Sequence, residues 1–225
     1  RGTGKTSTAK ILAKALNCKE GPTKTPCNEC DNCTKINENN SVDVIEIDAA
    51  SNRGIDEIRE LREKVKFSPT EGEYKVYIID EVHMLTTEAF NALLKTLEEP
   101  PEYVIFILAT TEPHKLLPTV LSRCQRFDFG RLSIEEIKGR LSYICQQEKV
   151  DYSPEALTAI ARNAAGGMRD AISILDQTIS FSDKKITTED VASVLGMVDT
   201  EVLFKLTDIM TRQAVEEGLE LITEI

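Results

Sequence analysis

The sequence predicts an α/β fold built on a parallel sheet and followed by a smaller, all-helical domain, and three observations carry that prediction. Up to about residue 130, short and nearly continuous apolar runs alternate with helical patterns, the rhythm of parallel strands joined by helices. The chain opens on "RGTGKTSTAK", the closing part of a glycine-rich loop that runs into a helix. From Ser133 the strand-like runs stop and helical segments follow one another.

The opening stretch carries chemistry. In the pattern G-x-x-x-x-G-K-[ST], backbone N–H groups cradle phosphates, the lysine reaches the β/γ-phosphates and the hydroxyl binds Mg²⁺. Gly4, Lys5 and Thr6 fill the last three fixed places, with Gly2, Thr3 and Ser7 beside them. The leading glycine would fall two residues before Arg1, so a strand and the first part of the loop are expected to precede the sequence. A helix over "STAKILAKALN" would turn its positive end to the anion. Alone, G-x-G-K-T also reads as a chance glycine turn before a helix, and a second nucleotide motif has to decide.

"VDVIEID" (Val42 to Asp48), "YKVYIID" (Tyr74 to Asp80) and "YVIFILATT" (Tyr103 to Thr111) read as strands buried on both faces. Between them, "GIDEIRELREKVK" and "TTEAFNALLKTLEE" read as helices, the second ended by Pro100-Pro101. The second strand delivers the second motif. Asp80 and Glu81 stand at its carboxyl end, where open α/β sheets present ligand-binding residues. Asp80 would bind Mg²⁺ through its water shell, and Glu81 would orient or deprotonate an attacking water. An isolated acidic pair is more often a solvated turn; its pairing with Gly4-Lys5-Thr6 points to ATP or GTP. Thr110 and Thr111 close the third strand with hydroxyls able to bond a γ-phosphate or the water beside it. Arg123 follows on a short helical segment, where an exposed surface arginine is the plain alternative.

In the helical part, "SIEEIKGRLSYICQQEKV" opens with an S-x-x-E capping box and "SPEALTAIARNAAGG" ends in a glycine pair. "MRDAISILDQTISF" and "TTEDVASVLG" follow. Arg169 stands at the start of a helix just after the glycines, where it could swing toward a nucleotide. The expected organisation is a nucleotide-binding domain over 1–132, a helical lid over 133–196, and from 197 to 225 the beginning of a further helical, oligomerising unit.

Composition limits the partners. A net charge of -11 argues against coating nucleic acid by bulk electrostatics. No run of about 18 apolar residues is present to span a membrane, and the start lacks the apolar core of a signal peptide. "SNRGIDEIRELREKVK" offers Arg53, Arg59, Arg62, Lys64 and Lys66 as a local DNA-facing stripe, but the acids on the same helix explain it equally as a solvated face.

Four of the six cysteines, Cys18, Cys27, Cys30 and Cys33, are spaced C-x8-C-x2-C-x2-C. Two-residue gaps let successive thiolates converge on one ion, and four thiolates close a tetrahedral Zn²⁺ shell. The iron–sulfur alternative needs its next cysteine where Asn37 stands. A disulfide reading would need an oxidising compartment, whereas the cysteine usage points to a reducing one.

Taken together, "ALNC", the cysteine cluster, "DEVHML", "NALLKTLEEPP", "ATTEPHKL", "SRCQRF" and "GGMRDAISILDQ" resemble the AAA+ ATPases and, within them, the tau/gamma clamp-loader subunits of bacterial DNA polymerase III. The resemblance covers essentially the whole chain. It implies that Lys5 and Thr6 belong to Walker A, Asp80 and Glu81 to Walker B, Thr111 to sensor 1 and Arg169 to sensor 2, with Arg123 an arginine finger for a neighbouring subunit. It implies ATP, Mg²⁺ and Zn²⁺ as cofactors and a cytoplasmic replisome as the setting, within a DNA-directed DNA polymerase (nucleotidyltransferase) complex. The implied partners are delta- and delta-prime-type subunits, further tau/gamma copies, a sliding clamp, primed DNA, and a polymerase core bound through a region beyond Ile225. Three rival readings are another AAA+ motor such as a branch-migration helicase, a non-hydrolysing scaffold, and a zinc-dependent nucleic-acid-binding module.

Overall fold

The computed structural model describes residues 1–182, 185–196, 200–212, 214 and 217. They form two compact units, Gly4–Phe129 and Gly130–Ile225, the second of which includes Arg1–Thr3.

In the first unit the order is α1 (Lys5–Asn17), α2 (Asp31–Asn37), β1 (Val44–Asp48), α3 (Ile55–Val65), β2 (Lys75–Asp80), α4 (Thr87–Glu98), β3 (Val104–Leu108) and the short α5 (Pro118–Leu121). The strands lie in the order β1-β2-β3, all parallel, as the apolar runs predict. Because successive side chains on a strand point to opposite faces, β2 serves two cores. Val76 and Ile78 pack with Ala9 and Ala13 of α1, whose small side chains let that helix approach closely. Tyr77 and Ile79 face the larger core of Ile58, Leu61, Val65, Phe90 and Leu93 from α3 and α4.

Polar groups inside this unit are spent on joining segments. Lys75 is 9% exposed, and its Nζ donates to the carbonyls of Lys64 and Phe67 at the end of α3, where a cation suits the helix dipole. Asp43 is buried and accepts from the N–H groups of Thr70, Glu71 and Gly72, which fixes the loop into β2. Asn17 takes the Tyr74 N–H on Oδ1 and donates through Nδ2 to the Tyr74 carbonyl, pinning the end of α1 to the sheet.

The second unit contains α6 (Ile134–Glu148), β4 (Asp151–Tyr152), α7 (Pro154–Asn163), α8 (Met168–Phe181), β5 (Lys185–Ile186), α9 (Thr188–Leu195) and α10 (Thr200–Arg212). Ile137, Leu141, Leu157, Ile160 and Leu175 form its core. The expectation that strands stop at Ser133 needs a correction: β4 and β5 pair in parallel over two residues each, too short to leave an alternating pattern. Of the collar expected over 197–225, α10 is described; 197–199 and most positions after Arg212 lie outside the described residues. Among the described residues no helix is long and apolar enough to cross a membrane.

The capping box at α6 is complete: Ser133 Oγ accepts from the Glu136 N–H at 3.2 Å, and Glu136 Oε2 accepts from the Ser133 N–H at 2.8 Å. These bonds hold the Glu136 carboxyl below its ordinary range, so its contribution is full at neutral pH and is lost as pH falls through the depressed value. Ser133→Ala is expected to cost about 1 kcal/mol in a denaturant melt at neutral pH.

Candidate nucleotide site and cysteine cluster

The site forms where the three parallel strands end. Asp48 pairs in register with Asp80, and Ile79 with Leu108. The Ala49 N–H donates to the Asp80 carbonyl, the Ala109 N–H to Ile79, and the Val82 N–H back to Ala109. This ladder carries Asp80, Glu81 and the Ala109–Thr111 segment to one sheet edge.

Gly4 introduces α1 from a left-handed conformation, φ 92°, and a Cβ built there would meet nothing within 4 Å. The first turn of α1 has neither a side-chain cap nor an acidic residue. Its N–H groups are therefore suited to an anion, and the open space at Gly4 fits a phosphate passing close to the backbone. Lys5 is half-buried at the head of the helix and Ser7 is exposed. Thr6 Oγ1 donates to Asp80 Oδ2 at 2.7 Å, joining the two halves of the predicted site across 74 residues. Asp80 Oδ1 accepts the Glu81 N–H at 2.9 Å. A hydroxyl and a carboxylate in contact, next to a free helix terminus, are the donor set that a Mg²⁺–nucleotide pair requires.

Glu81 is left-handed at φ 46°, an uncommon conformation for a residue with a Cβ and a form of strain that collects at functional positions. The turn aims its carboxylate at the connection after β3: Oε2 accepts from Thr111 Oγ1 at 2.9 Å and from the Thr111 N–H at 3.1 Å. Sequence reasoning named both residues, and the structure brings them together. It also places between them a residue that reasoning passed over. His83 lies in the 3-10 turn Val82–Met84 with 5% of its side chain exposed, Nδ1 standing 2.9 Å from Thr110 Oγ1 and 3.4 Å from Glu81 Oε2. Its signal was a single polar ring inside the otherwise apolar "VHML".

Arg123 does not join this cluster. Its guanidinium donates to Glu98 Oε1 at 2.5 Å and to the Thr119 carbonyl at 2.6 Å. Arg169 is exposed in the first turn of α8, in the other unit. Gly2 and Thr3 belong to that unit as well: the Gly2 carbonyl accepts from the Met168 N–H at 2.9 Å, and a Cβ on Gly2 would come within 3.3 Å of the Arg169 nitrogen. On α3, Arg59 pairs with Asp56, Lys64 with Glu60 and, at its end, Lys66 with Glu63. Those pairs favour the solvated-face reading of the basic stripe.

The four predicted cysteine ligands converge, with all Sγ atoms within 4.8 Å of one another. A tetrahedral Zn–S length of about 2.3 Å sets sulfurs just under 4 Å apart, so the set fits one ion. Cys18 and Cys33 are buried. The Lys19 N–H brings the Cys30 thiol down to about 6, while burial pushes Cys33 up to about 12. A coordinated cation would hold both as thiolates. The loop between the ligands passes so close to α1 that a Cβ on Gly21 would lie 2.8 Å from the Ala15 carbonyl oxygen. Lys14 Nζ, donating to Asn28 at 2.6 Å and to Asn37 at 2.8 Å, ties the same helix to the cysteine segment.

Parallel sheet, P-loop helix, acid pair and helical lid define the AAA+ class of P-loop ATPase folds. The Holliday junction branch migration motor RuvB of Thermotoga maritima shares the fold with a TM-score of 0.59, at 16% identity over 93% of this chain and 65% of that one. Sequence relationships are narrower. Residues 1–133 match the family model for DNA polymerase III, delta subunit, and residues 136–184 match the ATPase lid domain of the DNA polymerase III clamp loader subunit. DNA polymerase III subunit tau of Bacillus subtilis is 55% identical over 225 residues, and that of Escherichia coli 48% over 224, each covering 100% of this chain. The chain belongs to the DNA polymerase III clamp-loader subunit family. It spans 40% and 35% of the length of those two relatives. Nucleotidyl transfer as an activity of the chain itself is not supported by these matches.

Proposed function

We propose that this chain is the ATP-hydrolysing portion of a bacterial clamp-loader subunit of the tau/gamma type, working in the cytoplasm to place a sliding clamp on primed DNA. The observation that carries this reading is the Thr6–Asp80 contact with Glu81 aimed at Thr111 beside it. Bound MgATP would supply the phosphoryl group and the cation that neutralises its developing charge. Lys5 and the N–H groups of Gly4 to Ser7 hold the phosphates, Thr6 and Asp80 hold the metal, and Glu81 orients or deprotonates the water. Thr111 reports on the γ-phosphate position, Arg169 contributes from the lid at 133–196, and Arg123 serves the site of a neighbouring subunit.

In this reading the assembly contains delta- and delta-prime-type subunits and further copies of this chain, joined through a collar beginning over 197–225, with a polymerase core bound by a region beyond Ile225. Cys18, Cys27, Cys30 and Cys33 hold a structural Zn²⁺ with no open position for catalysis. The test uses the full-length subunit. Lys5→Ala is expected to lower ATP affinity and to reduce steady-state ATPase to background in the assembled clamp loader. ATPase activity untouched by that substitution would refute the proposal.

A further inference from the structure

The ring of His83 is enclosed among three groups of the nucleotide site. Nδ1 faces Thr110 Oγ1 at 2.9 Å and Glu81 Oε2 at 3.4 Å, and Nε2 faces Glu112 Oε1 at 3.9 Å. Glu112 is occupied in turn by Lys115 and lies 3.9 Å from His114 Nε2. Thr110 Oγ1 also accepts the Glu112 N–H at 2.9 Å, so the hydroxyl is fixed from the backbone side. We propose that His83 is a positioning residue for Glu81, locking the carboxylate to the Thr110–Thr111 segment through its Nδ1 edge.

The physical reason is the arrangement of Glu81 itself. Its backbone is left-handed, and its carboxylate takes its direction from contacts with the neighbouring connection, the Thr111 N–H and Oγ1 among them. Thr111 contacts Oε2 from the connection after β3, and His83, rooted in the 3-10 turn after β2, flanks the same oxygen. The Nδ1 edge of the largely enclosed ring meets Thr110 and Glu81, and rotating the side chain would give up the Thr110 contact. Misplacing a group that orients the attacking water lowers the rate without loosening the nucleotide.

This inference rests on the ATPase reading above, and the experiment separates the two. Full-length subunit, assembled into the clamp loader with clamp and primed DNA, is compared with H83N, H83Q, T110V and E81Q. An asparagine amide reaches the place of Nδ1, and a glutamine amide that of Nε2. H83Q is expected to reduce kcat about tenfold with KM for ATP and ATP affinity unchanged, while H83N recovers most of the rate. T110V, which leaves the ring in place, is expected to lower kcat alone by a similar factor and to add little to H83Q. Equal rates for H83N and H83Q, or a T110V indistinguishable from wild type, would overturn the role of His83 while E81Q still abolishes turnover. A wild-type assembly that does not hydrolyse ATP would instead overturn the ATPase reading.

Discussion

Arg123→Ala is expected to remove the stimulation of ATP hydrolysis by clamp and primed DNA while leaving ATP binding intact. A guanidinium supplied to a neighbour's nucleotide stabilises charge that develops only in the transition state, and such residues contribute about 10³ to 10⁵ in rate. In the single chain, Arg123 is turned to Glu98 and to the Thr119 carbonyl, outside the Thr6–Asp80–Glu81–Thr111 cluster. Nothing in its own subunit's site depends on it, so the loss should show in assembled complexes and be small in the isolated subunit. Steady-state ATPase with and without clamp and primed DNA, set beside nucleotide binding, measures both quantities. Activity indifferent to clamp, DNA and Arg123 would leave the ATPase fold in place and remove the replication role.

The second large effect concerns the Zn²⁺ proposed at the four cysteines. Stripping Zn²⁺ is expected to unfold the cysteine segment and to lower the melting temperature of the whole first unit, because structural zinc sites couple metal affinity to folding by about 10 kcal/mol or more. Lys14, the Asn32 side chain donating to the Asn17 carbonyl, and the close passage at Gly21 tie that segment to α1, so the damage should reach the helix proposed to bind phosphate. Cys33→Ser, at the most enclosed ligand, should reproduce it. Metal release followed with a chromogenic chelator, in parallel with circular dichroism, tests the order of events. Loss of DNA binding at full retention of folded structure would favour a zinc-dependent nucleic-acid module instead.

These expectations differ in how plainly the sequence displayed them. Asp80 and Glu81 were legible because an apolar run ended on them and a P-loop stood elsewhere in the chain. The cysteines were legible because their spacing alone brings thiolates together. His83 was not, since its partner Thr110 lies 27 residues away on the connection after β3, and only the pairing of β2 with β3 brings the two strand ends together. The same holds for Asn17, whose bonds to Tyr74 span 57 residues. Asp43 fell inside the run read as the first strand, which begins only at Val44, and its buried acceptor role became visible only with the loop that folds over it. The two-residue pairing of β4 with β5 fell below the length at which periodicity has meaning.

The burial of β2 has one more consequence, for how the molecule opens. Its residues Lys75 to Ile79 are all buried, whereas Thr111 and Arg123 sit on exposed connections. Hydrogen-exchange protection follows such contrasts, with enclosed strands opening last and exposed loops first. Asp80 and Glu81, the proposed metal and water ligands, are therefore expected to hang from a slow-exchanging strand, and Thr111 and Arg123 from faster-exchanging connections. On the proposed function, chemistry would be anchored to a fixed frame, and the parts that would report a neighbour's arrival could shift without disturbing it.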